Sequence, residues 1–390
     1  MRDIKNLMAG LTVGAALMVS QAVAVEGVIE APAQTADTFG TLDYANAIPM
    51  DKRVDFNSME RKSTSEVPSV EIGEPGVVSG NRGTGEMLHE SLGKPVKAVK
   101  GQTDVQPAEF GTSNRPFATS RVDMYDQRLS RKYPNRVTGK LFFKIGSATY
   151  VCSASSIKPG VVVTAAHCIY DNENDVYYSG WEFIPAYYKD STVGEKAPFG
   201  RYGYKTAYVM DGYINPPEGD NVVNNYDVGV IVMKKRTNPN TGTDMFPGER
   251  TGWYGYGYNG WGYTDGLNDG SLTLIHQLGY PVSHDNGWQM QANDSQGEKT
   301  TQFGAMAIMI GSRETGGSSG GPWLVNYGEI ASLSGTTAGT YPTNDVVVAV
   351  TSWGWTSSDP KEQGATPFTD GNIVPLLDTV CTNYPTNCGL

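Results

Sequence analysis

The run Gly317-Ser318-Ser319-Gly320-Gly321-Pro322 decides how the rest of this chain is read, together with Thr164-Ala165-Ala166-His167-Cys168 far upstream. A serine hydroxyl is a weak nucleophile until a neighbouring base takes its proton. Ser319 stands in a tight glycine turn, where backbone N–H groups can approach developing negative charge without side chains in the way. His167 follows Val161-Val162-Val163-Thr164, an apolar run that reads as a strand, and a strand end can aim an imidazole. Ser319 and His167 are therefore candidate nucleophile and base.

Chain order separates the ways of combining them. Gly317-x-Ser319-x-Gly321 also fits the nucleophile elbow of α/β-hydrolases, but there the order is Ser, then Asp or Glu, then His. The four histidines, His89, His167, His276 and His284, all precede Ser319, so that order cannot be assembled. The subtilisin order needs an aspartate ahead of the histidine and a different serine context. The order His, Asp, Ser remains. Asp227, in Asn224-Asn225-Tyr226-Asp227-Val228-Gly229-Val230-Ile231-Val232, is the best carboxylate between them. It enters an apolar strand-like run, where a buried carboxylate can hold an imidazole in the proton-accepting tautomer. The bland alternative is that Asp227 caps a turn. Asp211 and Asp220 have Gly or Pro nearby and read as loop residues. His276 reads as a core or turn histidine, His284 as a turn residue, and His89 falls in a flexible region.

On these residues the chain resembles the chymotrypsin-like (trypsin-fold) serine proteases, which carry the base in T-A-A-H-C, the nucleophile in G-x-S-G-G-P and the aspartate in a D-[VI]-[AG]-[VL] setting. The resemblance covers roughly residues 136–378 and includes Gly279-Tyr280-Pro281. It is similar above all to bacterial secreted members related to V8-like glutamyl endopeptidases. It implies an all-β fold of two antiparallel barrels, with the active site in the cleft between them. It further implies a His167, Asp227, Ser319 triad forming an acyl-enzyme, and an oxyanion hole from the N–H groups of Gly317 and Ser319. Thr351-Ser352-Trp353-Gly354 resembles the segment that pairs with the substrate backbone and borders the specificity pocket. Arg313 stands where trypsin has its aspartate that selects basic side chains, and Glu314 follows; an arginine in the pocket would favour acidic side chains, a glutamate basic ones. Two positions depart from the pattern. Ser318 replaces the aspartate that pairs with a new N-terminus in trypsin-like zymogens. Thr351 replaces the histidine of the glutamyl enzymes.

Composition agrees with a loop-rich β protein: 390 residues, 39% hydrophobic, 47 Gly, 22 Tyr and only 18% charged. A net charge of −11 argues against a nucleic-acid partner, which would favour a basic stripe. Residues 1–24 read as a secretory signal peptide, with Arg2 and Lys5, an apolar stretch from Leu7 to Val19, and Ala22-Val23-Ala24 before the cut. The alternative, a single-pass anchor, is short for a bilayer. Nothing later is long and apolar enough to cross a membrane. Four cysteines in an exported chain read as disulfides. Local pairing gives Cys152–Cys168 and Cys381–Cys388, one of three connectivities, and the first matches the bridge that tethers the histidine loop in the family. No C-x-x-C or H-x-x-x-H spacing points to a metal, and no cofactor is called for.

Residues 25–120 are poor in aromatics and rich in Ser, Thr, Glu, Pro and Gly, the composition of a flexible pro-segment or linker. The peptidase domain is expected over 121–390, with an N-terminal barrel at about 136–235 and a C-terminal barrel at about 250–378. Arg121 or Arg131 would be the maturation site. The aromatic run at 252–263 reads as packing rather than a carbohydrate platform. Asp171-Asn172-Glu173-Asn174-Asp175 lacks the glycine and terminal glutamate of a calcium loop and reads as a solvated acidic loop. The expected partner is a peptide or protein substrate and the default state a monomer. The activity expected is that of a secreted or periplasmic serine endopeptidase. Its rivals are a catalytically silent binding protein on the same fold, and an acyl-ester hydrolase using the same chemistry.

Overall fold

Thr138–Ile145 and Ala148–Lys158 pair antiparallel around Gly146, whose φ of +58° suits a residue without a Cβ. This hairpin starts the first barrel in a computed structural model that describes residues 27–33, 41–54, 73–93, 115–124, 127–216, 223–260, 272–300, 307–329, 343–356 and 360–390. Val161–Thr164, Gly229–Met233, Tyr202–Met210 and Ser179–Pro185 complete six strands, each hydrogen-bonded to the next and the last to the first. Successive side chains on a strand point to opposite faces. Leu141, Phe143, Cys152, Ala154, Ala207 and Val209 share one core. Their neighbours Phe142, Val151, Tyr208 and Met210 join another, with Tyr280 of the second barrel and Ile373, Leu376 and Val380 of the helix Ile373–Asn383. Burying such side chains contributes about 1.5–3 kcal/mol each.

The second barrel closes in the same way through Leu272–Gly279, Gln291–Thr300, Ala307–Gly311, Glu362–Pro367, Val346–Trp355 and Pro322–Val325. The fold is thus two closed six-stranded antiparallel barrels. Gln291–Thr300 forms a strand although its sequence has no apolar alternation. Buried amides explain the difference: Asn293 is fully buried, accepts from Thr119 Oγ1 at 2.7 Å and donates to the Gly311 carbonyl at 3.0 Å. Tyr254 and Tyr256 of the aromatic run are buried, as packing required; residues 261–263 lie outside the described ones, as do 1–24. Both expected disulfides are formed, Cys152–Cys168 and Cys381–Cys388.

Composition led to a flexible stretch over 25–120, yet its described parts contain short strands laid on the barrels. Val28–Glu30 pairs with Tyr208–Met210, Gly76–Val78 with Tyr256–Tyr258, Glu90–Gly93 with Glu195–Ala197, and Phe117–Arg121 with Gln291–Ser295. Strand addition is made by backbone hydrogen bonds, so it needs few apolar side chains and leaves little compositional trace. Among the described residues no helix is long and apolar enough to cross a membrane.

Lys140 is an unusual wall residue. Its side chain is buried against the Tyr187 ring, 4.6 Å from the centroid, and donates to the Gly287 carbonyl at 2.9 Å. Burial pulls its pKa down to about 7. Between pH 7 and 10 the unfolded chain therefore binds the extra proton and the folded one does not, so stability rises with pH in that window. Lys140→Met should remove that rise, up to about 3–4 kcal/mol at one unit per 1.4 kcal/mol. The check is urea unfolding of both proteins at pH 7 and pH 10.

Candidate active site

His167 lies in the 3-10 turn Ala166–Cys168 that follows strand Val161–Thr164. Two covalent and polar anchors fix this turn. Cys168 is bonded to Cys152 on the neighbouring strand, and Trp181 Nε1 donates to the Cys168 carbonyl at 3.1 Å. Asp227, fully buried just before strand Gly229–Met233, receives His167 at two points. The His167 backbone N–H donates to Oδ1 and the ring Nδ1 to Oδ2, each at 2.9 Å. A carboxylate only accepts, so Nδ1 carries the proton and Nε2 is the basic nitrogen.

Ser352 Oγ, from the second barrel, also donates to Asp227 Oδ2. The Lys52 ammonium stands 3.4 Å from the same oxygen. Burial alone raises the Asp227 pKa. The His167 and Lys52 charges and the His167 and Ser352 hydrogen bonds outweigh it and hold the pKa far below the usual carboxylate range. His167 Nε2 is buried and has no hydrogen-bond partner among the described residues.

The serine loop reaches this turn through its glycines. Gly320, at φ +77°, has the Ser153 carbonyl oxygen and the Ala165 nitrogen 2.5 and 2.8 Å from where a Cβ would be, and Thr164 Oγ1 nearer still. Its N–H donates to the Thr351 carbonyl at 2.8 Å. The Ser319 carbonyl accepts from Ser153 N–H at 2.8 Å, and Ser153 Oγ donates to the Gly317 carbonyl at 2.8 Å. Ser153 thus latches both sides of the loop to the first barrel. Ser319 is 5% exposed. Gly317 takes φ +93°, and a Cβ there would collide with the Tyr280 carbonyl; its N–H donates to the carbonyl of Met50 at 2.8 Å.

Of the two candidate pocket residues, Glu314 is the buried one, 2% exposed, whereas Arg313 is exposed. Burial raises the Glu314 pKa well above normal, and neither oxygen has a hydrogen-bond partner among the described residues. Its carboxyl rests against Gly279. Arg313, Glu314, Ser312 and Trp355 line a cavity of about 530 Å³. Thr351 Oγ1 accepts from Gln277 Nε2 and Trp323 Nε1 at 3.1 and 2.8 Å, so this hydroxyl is part of the wall. The Trp353 ring covers Gly364, and Gly354 N–H donates to the Lys52 carbonyl at 3.0 Å.

Sequence reasoning passed over Gln363, Ser153 and Lys52. Gln363 accepts from Gln277 Nε2 at 2.6 Å and donates to the Glu314 carbonyl and Ser318 Oγ at 2.8 and 3.1 Å. Isolated amides and hydroxyls far apart in the chain carry no local signal. His276 pairs with Asp294 at 2.7 Å and stacks on Tyr327; His284 lies in a turn, and His89 is exposed. Among the described residues one group has metal-ligand proximity, His167 with Cys152 and Cys168. Both sulfurs are spent in the disulfide, so the group does not suit a metal. The 171–175 loop is closed by its own bonds, Asp171 Oδ1 accepting from the N–H groups of Glu173 and Asn174.

Residues 128–374 match the trypsin family model. The chain belongs to the trypsin family. It is 28% identical over 179 residues to the extracellular metalloprotease of Bacillus subtilis strain 168, which covers 45% of this chain and 47% of that protein. The chain thus matches about half the length of that curated relative. Among solved structures it is similar to the protease Anisep from Arthrobacter nicotinovorans, at 22% identity and a TM-score of 0.44, covering 65% of this chain and 96% of that one. A Glu endopeptidase solved with MPD matches at 18% identity and a TM-score of 0.44, covering 68% and 96%.

Gly320→Ala tests the approach of the two barrels. A methyl group at a positive φ and against fixed backbone should cost about 2–4 kcal/mol. Denaturant unfolding at pH 7 measures the loss, and Gly242→Ala, also at positive φ but with open space around it, should cost less.

Proposed function

We propose that this trypsin-family serine endopeptidase hydrolyses peptide bonds through Ser319, His167 and Asp227. Ser319 Oγ attacks the scissile carbonyl carbon while His167 Nε2 takes its proton. The N–H groups of Gly317 and Ser319 receive the oxyanion, each donor contributing about 3–4 kcal/mol to the transition state. His167 then returns the proton to the leaving amine, and an acyl-enzyme remains. Water, activated by the same imidazole, attacks the ester and releases the acid. Asp227 keeps the proton on Nδ1 throughout and offsets the imidazolium charge.

The observation that carries this reading is the two-point attachment of His167 to a buried, ionised Asp227, beside a turn against which Gly320 brings the serine loop. Nothing in that arrangement calls for a cofactor. The reading extends to export: residues 1–24 would direct the chain out of the cytoplasm, where the two disulfides persist, and residues 25–120 would be a pro-segment. Arg313, Glu314, Thr351, Ser352, Trp353 and Gly354 would frame the substrate-binding side.

Processed protein should be labelled by a fluorophosphonate probe, and Ser319→Ala should abolish labelling. His167→Ala should lower kcat for a peptide substrate by about a million-fold, and Asp227→Asn by about 10⁴-fold. Labelling with ester turnover but no peptide cleavage would point to an esterase, and absence of labelling to a silent binding protein.

A further inference from the structure

Residues 48–54 thread the gap between the barrels along its length. Ile48 and Pro49 run parallel to Tyr150 and Val151 of the first barrel, and Met50 N–H donates to the Val151 carbonyl at 2.9 Å. The Met50 carbonyl then accepts from Gly317 N–H at 2.8 Å. Beyond it, Arg53 and Val54 run parallel to Gly354 and Trp355 of the second barrel. The Lys52 and Val54 carbonyls accept from the N–H groups of Gly354 and Thr356 at 3.0 and 2.8 Å.

Side chains fasten the same stretch. The Lys52 ammonium reaches Asp227 at 3.4 Å and lies 5.3 Å above the Tyr213 ring. Arg53 donates to the Trp355 carbonyl at 2.7 Å and pairs with Asp51 at 2.7 Å. Asp51 and Arg53 form part of the wall of the cavity that holds Arg313 and Glu314.

We propose that residues 48–54 are a built-in inhibitor, lying in the substrate cleft in the direction opposite to a substrate and keeping the enzyme silent until they are removed. This rests on the peptidase reading above. One of the two proposed oxyanion donors is already taken by Met50. With the Met50 carbonyl on Gly317 N–H, Met50–Asp51 is the bond that Ser319 would attack, and its halves are reversed, since a substrate's acyl half would lie along the strand that borders the specificity pocket. The acyl half, Ile48 to Met50, is on the first barrel. The amine half, Asp51 to Val54, is held by the strand that would border the specificity pocket.

Attack on Met50 would form the Ser319 ester and break the Met50–Asp51 bond, with His167 delivering the proton to the Asp51 nitrogen. That amine cannot depart, because the amides of Gly354 and Thr356 and the Lys52–Asp227 pair keep it in place. Held at an effective concentration of about millimolar or more, it attacks the ester and restores the bond before water does. Lys52 adds a second effect: its charge competes for the carboxylate oxygen that should serve the His167 imidazolium alone.

The test measures fluorophosphonate labelling of Ser319 separately on the intact chain and on processed protein. Intact wild type should label at least about 100-fold more slowly than processed protein, a difference of about 2.8 kcal/mol. Equal rates would overturn the proposal. The intact double variant Lys52→Ala/Arg53→Ala should label at least about tenfold faster than intact wild type, and an unchanged rate would overturn it. Should that variant not fold, a peptide spanning Asn46–Val54 serves instead. Added to processed wild type at millimolar concentration, it should slow labelling and be recovered uncut. No slowing, or accumulation of fragments cut after Met50, would overturn the proposal. Failure of processed protein to label at all would sink the peptidase reading itself, and this proposal with it.

Discussion

The buried carboxylate of Asp227 is the constraint around which the cleft is organised. A charge removed from water must be met by donors or it is lost to protonation. Here the donors come from three separate parts of the chain: the backbone and ring of His167 in the first barrel, Ser352 in the second, and Lys52 in the N-terminal segment. Satisfying one carboxylate therefore fixes the imidazole, joins the two barrels at the cleft and seats residues 48–54 beside them. The tautomer of His167 follows from the same contact.

Apart from Ser352, the second barrel meets this arrangement through the backbone of the serine loop. Gly320 has no room for a Cβ against Ser153, Thr164 and Ala165, and Ser153 binds the serine loop twice, at the carbonyls of Gly317 and Ser319. A small hydroxyl and a bare glycine let two packed sheets come together at a seam where larger residues would hold them apart. Close packing makes such a seam stiff, which suits a reaction whose geometry is set by fractions of an ångström. The wall beside Glu314 and Thr351 is built differently, from a buried amide network around Gln363 and Gln277. Glu314 lies beside it, with burial favouring its neutral form.

The N-terminal segment shows where composition misleads. A stretch poor in aromatics and rich in Ser, Thr, Pro and Gly cannot form a core of its own. It can still add strands to barrels that exist already, since the ladder is made by backbone N–H and C=O groups common to nearly every residue. Ile48–Pro49, Arg53–Val54 and Gly76–Val78 are two- and three-residue strands of this kind, too short for any periodicity to register. The strand Gln291–Thr300 escaped for a related reason: its inward residues are amides and hydroxyls that find partners only after folding.

Read alone, the sequence made His167, Asp227 and Ser319 and their order legible, because each stands in a short motif; the resemblance carried by those motifs implied the two-barrel class, and local pairing of the four cysteines gave the disulfides that form. Which of Arg313 and Glu314 turns inward, what meets the second oxygen of Asp227, and the direction in which residues 48–54 cross the cleft were decided by tertiary structure. Those outcomes depend on contacts between segments up to about 300 positions apart, and a chain records such distances only once it has closed on itself.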